Sequence, residues 1–154
     1  MPSPQTAASH IPTLPIKYPM QRIRIGLGTT LFGFLVLLIG ARPDIFGLDR
    51  SPVLGFVQIS VFEVGLGIIC IGGYISLVSL WKDQPISIAA EIGQRLVATG
   101  YLVAVFAGMA DIFGFGSQRL PGLIYFGVLQ QAGVMIGEAI IAIGFLMMIP
   151  YRRS

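Results

Sequence analysis

The chain has 154 residues, 55% of them hydrophobic and 11% charged, with a formal net charge of +3 and a mean hydropathy of +0.83. A soluble domain carries about 25% charged residues, so this composition points away from a water-soluble globule. The basic residues flank apolar runs and form no cluster with interleaved aromatics, which argues against a nucleic-acid partner.

The first 20 residues hold five prolines and no sustained apolar run. They lack the charged, apolar and cleavage regions of a signal peptide in order, and they read as an extended tail. Residues 21–154 then read as a four-helix transmembrane bundle. The expected spans are Ile23–Ala41, Val53–Leu80, Ile92–Ile112 and Leu123–Ile149. Each contains the roughly 20 mostly apolar residues that a bilayer core about 30 Å thick requires. The runs are continuous and too long for membrane strands, which excludes a β-barrel. Lys17, Arg22, Arg24, Lys82, Arg95, Arg152 and Arg153 flank one side; Arg42, Arg50 and Arg119 flank the other. Seven against three predicts both termini in the cytoplasm, and the expected location is a prokaryotic cytoplasmic membrane.

Asp-Ile-Phe-Gly occurs twice, at Asp44 and at Asp111. Residues 22–47 laid on 89–114 give nine identities without a gap, among them Gly26 on Gly93 and Gly33 on Gly100. After a five-residue insertion the match resumes at an offset of 72: Gln58 falls on Gln130, Gly65 on Gly137, and Ile71-Gly72 on Ile143-Gly144. The chain therefore reads as two tandem helical hairpins, about 22–80 and 89–149. Each copy crosses the membrane twice, so the repeat is parallel, with its pseudo-axis along the membrane normal. Asp44, Phe46 and Gly47, with Asp111, Phe113 and Gly114, are expected at one outer interface. The phenylalanines would sit at headgroup depth and the glycines would end the helical backbone. An acid at a helix C-terminus opposes the macrodipole, so Asp44 and Asp111 call for partners or turn-capping roles; Arg42, Arg50 and Arg119 are close in sequence, and an outer cation site is the alternative.

Small residues recur at helical spacing: Thr29 and Gly33, Gly100, Ala104 and Gly108, then Gly133 and Gly137. Such ladders let helices approach closely in lipid. Two carboxylates, Glu63 and Glu138, fall inside expected spans, with Gln58, Gln130 and Gln131 one to two turns outward. Charge at that depth costs a few kcal/mol, so these residues call for a partner or a task. They are expected to make interhelical hydrogen bonds or partner-subunit contacts, or else to line a proton or cation path.

The single histidine, His10, lies in the tail, which excludes bis-His haem within one chain. No Cys/His metal spacing, phosphate-cradling loop or catalytic triad can be assembled. Cys70 reads as a small packing residue. No metal or cofactor is expected beyond bound lipid, with weak pigment ligation through Gln or Glu oxygen as the remaining option. The expected function is non-enzymatic: an accessory or scaffold subunit of a larger membrane complex, respiratory or photosynthetic, in contact with lipid and other subunits. The alternative is a small oligomeric proton- or cation-linked transporter or channel using the two glutamates.

Overall fold

A computed structural model describes residues 20–47, 55–81, 84–114 and 127–151. Four helices make up the fold: α1, Met20–Ala41; α2, Phe56–Ser79; α3, Ile88–Gly108; and α4, Val128–Met148. All four are long and apolar enough to cross a membrane, and the chain is an integral membrane protein on that ground. At 1.5 Å per residue, each reaches or exceeds a bilayer core of about 30 Å. Apart from Met20, the Pro-rich tail lies outside the described residues, as do Arg50 and Arg119.

The helix limits differ from the sequence expectation mainly in α3. It starts four residues earlier, at Ile88, because the Ser87 hydroxyl accepts the Ala90 amide at 3.2 Å. That bond supplies one of the partners a helix start lacks. The helix also ends earlier, at Gly108, so Asp111 and Ile112 belong to the turn that follows. Positions 53–54 and 123–126, expected at the starts of α2 and α4, lie outside the described residues.

The helices pair as two hairpins, α1 with α2 and α3 with α4, and the hairpins meet through α2, which touches both α3 and α4. Lipid offers no hydrophobic drive for helix association, so close backbone packing must hold each hairpin. Glycines spaced by seven provide it: Gly26, Gly33 and Gly40 on α1, Gly65 and Gly72 on α2, Gly93 and Gly100 on α3, Gly137 and Gly144 on α4. All nine are buried.

The two seams match contact for contact. A Cβ added at Gly33 would lie 3.0 Å from Gly65 O and 2.7 Å from Ile69 N. At Gly100 it would lie 2.7 Å from Gly137 O and 2.9 Å from Ile141 N. A Cβ at Gly72 would meet Gly26 O at 2.7 Å and Thr30 N; one at Gly144 would meet Gly93 O at 2.7 Å and Val97 N. These partners correspond under the offsets of 67 and 72 read from the sequence. The repeat is thus present in three dimensions.

The expected small-residue ladders are found in part at these seams. Gly33, Gly100, Ala104 and Gly137 lie in them, and Gly133 meets Ala107 of α3. Gly108 faces α2 instead. On α1 it is Thr30 that meets Gly72; both threonine hydroxyls donate back to their own helix, Thr29 to Ile25 O and Thr30 to Gly26 O, each at 2.9 Å. The seven-residue glycine period selects Thr30's face and turns Thr29 aside.

Leu66 of α2 joins Val97, Ala104, Ile141 and Met148 of the second hairpin in the buried core, with Cys70, Leu77, Tyr101 and Phe145 packed against it. The Trp81 indole donates to Met148 O at 2.8 Å and ties the last turn of α2 to the end of α4. That bond satisfies one of the carbonyls a helix end leaves open.

Candidate functional site: a polar cleft between the hairpins

Exit turns end α1 and α3. Pro43–Phe46 is a 3-10 turn closed by Gly47 at φ 65°, and Gly114 occupies the equivalent position at φ 78°. Both glycines take the left-handed conformation that costs other residues about 1–2 kcal/mol. Phe46 and Phe113 are exposed, and the Phe113 ring packs 5.2 Å from that of Phe106.

The two aspartates of the motif have different surroundings. Asp44 is exposed and accepts two hydrogen bonds from Arg42, Nε to Oδ1 and Nη2 to Oδ2, both at 3.2 Å. The Arg42 hydrogen bond holds the Asp44 carboxyl below its ordinary range. Met109 stands where the repeat would put a second Arg42. Asp111 is only 7% exposed, and among the described residues neither of its carboxylate oxygens has a hydrogen-bond partner.

The intramembrane polar residues separate into three groups. Gln130 is buried, and its Oε1 accepts the Gly127 amide at 2.7 Å, so it caps the start of α4. Glu63 is 3% exposed, and its Oε1 faces Gly108 of α3, with no hydrogen-bond partner among the described residues. Gly108 makes room there: a side chain at that position would collide with the carboxylate.

Gln58, Gln131 and Glu138 come together in one cleft of about 350 Å³, at the low end of the range for small-molecule sites. α1 contributes its last residues, Gly40 and Ala41; α2 contributes Gln58, Ile59 and Phe62; and α4 contributes Gln131, Val134, Met135 and Glu138. Gln131 and Glu138 are seven residues apart, so they share a helix face with about 10 Å between them. Gln58 lies in the first turn of α2 and Gln131 in the first turn of α4, so the amides stand toward the exit-turn end and the carboxylate deeper. Among the described residues, none of the three side chains makes a hydrogen bond.

The cleft thus unites one of the two expected glutamates with two of the three expected glutamines. The sequence reading puts Glu63 and Glu138 on similar faces; in the structure Glu63 faces α3 and Glu138 lines the cleft beside α2. The buried state of Asp111 was missed, although the Arg42-to-Met109 change in the aligned repeats signals it. The Trp81 tie was also missed, and nothing in its local sequence announces a partner 67 residues away. Comparison with protein-family models, with curated proteins and with solved structures gave no match.

Proposed function

We propose that this chain is a non-enzymatic accessory or scaffold subunit of a larger membrane complex. One observation carries the reading: Leu66 of α2 packs with Val97, Ala104, Ile141 and Met148 of α3 and α4 in one apolar core that joins the hairpins. A solid hydrocarbon seam favours a rigid packing element over a conduit, because a charge crossing it would lose hydration with nothing to replace it. Glycine-to-backbone contact within both hairpins supports the same reading. It leaves the large apolar side chains, among them Leu31, Phe34, Leu102 and Phe106, on outer faces for lipid or neighbouring subunits.

In this reading both termini face the cytoplasm of a prokaryotic cell, as the seven-to-three balance of flanking Lys and Arg supports. A respiratory or photosynthetic assembly is the expected host. Native membranes solubilised in mild detergent and separated by size provide the test, with mass spectrometry of what travels with the chain. Co-migration at fixed stoichiometry with a large assembly is the expected result. Migration as a small homo-oligomer would overturn the proposal and turn attention to flux assays on Glu63→Gln and Glu138→Gln.

A further inference from the structure

We infer that the cleft holding Gln58, Gln131 and Glu138 binds the primary ammonium group of a membrane-dissolved amphiphile. The inference concerns a ligand of this chain alone and stands whether or not the chain works inside a larger assembly.

The argument starts from unmet hydrogen bonding. A carboxylate and two carboxamides share one cleft, and none has a side-chain partner among the described residues. Glu138 is half-buried inside the α4 span, where an acid without a partner costs a few kcal/mol, while Gln58 and Gln131 stand at the mouth in the first turns of α2 and α4. A cationic occupant would supply the partner that Glu138 lacks. An ionised carboxylate only accepts, and each carboxamide offers one accepting oxygen. The cleft offers acceptor oxygens to the N–H donors of a primary ammonium, and the ammonium charge matches the Glu138 carboxylate.

The walls decide what the ammonium is attached to. Ile59, Phe62 and Val134 line the same cleft, and they suit an alkyl or acyl chain. A hard metal cation is a poor fit, since it requires six to eight oxygen ligands and the described side chains supply four, two from Glu138 and one each from Gln58 and Gln131, between apolar walls. Among the described residues, no lysine or arginine lines the cleft to compete for Glu138. The geometry also explains why Gln130 is left out: its oxygen is already spent on the Gly127 amide.

Two sources carry this chemistry, an aminophospholipid headgroup and a free alkylamine. The test uses the full chain in detergent micelles and native mass spectrometry of retained ligands. One arm offers equimolar phosphatidylethanolamine and phosphatidylcholine. The second offers dodecylamine and its N,N,N-trimethyl analogue. In each pair the charge is similar, and only the first member donates N–H bonds. The expected result is about tenfold preference for the primary ammonium, the worth of one charge-assisted hydrogen bond. Glu138→Gln should abolish that preference, and Glu63→Gln, outside the cleft, should retain it.

Preference in the phospholipid arm names a headgroup as the ligand, and preference in the dodecylamine arm alone names a free amine; both support the inference. Equal retention of the methylated and unmethylated ligands by the unaltered chain overturns it, and that comparison needs no variant to fold. Full preference retained in Glu138→Gln overturns it as well.

Discussion

Substitution of Gly137 by alanine tests the seam that holds the second hairpin together. The added Cβ would lie 2.6 Å from Gly100 O, 2.7 Å from Ala104 N and 2.8 Å from Ala104 Cβ. Nonbonded carbon contacts settle at about 3.5–4.0 Å, so α3 and α4 must part by close to 1 Å. Two of the three opposing atoms are backbone, and no rotamer change can move them aside. Parting the helices there also loosens the Gly93–Gly144 contact one heptad away. Overpacking of this kind costs about 1–3 kcal/mol. Alanine returns up to about 1 kcal/mol in helix propensity, which leaves a net loss of roughly 1–2 kcal/mol. Gly28 is the control, because a Cβ there meets nothing within 4 Å. Gly28→Ala keeps only the propensity gain and should stabilise by up to about 1 kcal/mol. Unfolding in mixed micelles, followed by helicity and by the fluorescence of the single tryptophan, Trp81, measures both. Opposite signs are expected. A Gly137→Ala chain at least as stable as the parent would refute backbone-to-backbone packing at this seam.

Trp81→Phe keeps the ring and removes the bond to Met148 O, so the thermal midpoint should fall by the equivalent of about 1 kcal/mol; an unchanged midpoint counts against the tie between α2 and α4. Gly108→Ala should destabilise by about 0.5–1.5 kcal/mol, the cost of turning the flexible Glu63 side chain aside. Combining it with Glu63→Ala should recover part of that loss, and single and double variants that add to within about 0.5 kcal/mol would show no contact. Arg42 lowers the Asp44 carboxyl, so the pair's small contribution to stability is present at neutral pH and disappears as pH falls through the folded value, below 3.8. An NMR titration of Asp44 should show a midpoint below 3.8 that returns toward it in Arg42→Gln. A midpoint unmoved by that substitution removes Arg42 as the cause.

The number of membrane crossings, the tandem hairpins and the left-handed glycines after each Asp-Ile-Phe-Gly were legible in the chain by itself. Each depends on local composition or on matching letters: long uncharged runs, two offsets of 67 and 72, and a residue without a Cβ where the backbone reverses. The seam glycines were legible only in part. Gly33, Gly100 and Gly137 stand out by four-residue spacing to other small residues, whereas Gly26, Gly40, Gly72, Gly93 and Gly144 recur by sevens and emerge only once a partner helix selects the face.

The tertiary structure alone decided how the polar residues divide. Glu63 and Glu138 look alike in sequence, each a lone acid in an apolar helix. The direction each side chain takes depends on which neighbour its helix meets, and α2 meets three. Glu63 thereby faces Gly108, while Glu138 joins two glutamines from two helices in one cleft. Asp44 and Asp111 share the letters that follow them yet differ in surroundings: Asp44 is exposed and pairs with Arg42, whereas Asp111 is buried and Met109 stands at the equivalent place before it. Periodicity reports which residues share a helix face; it carries no information about what stands opposite, and the opposite face is what turns an acid into an ion pair, a buried carboxyl or a binding group.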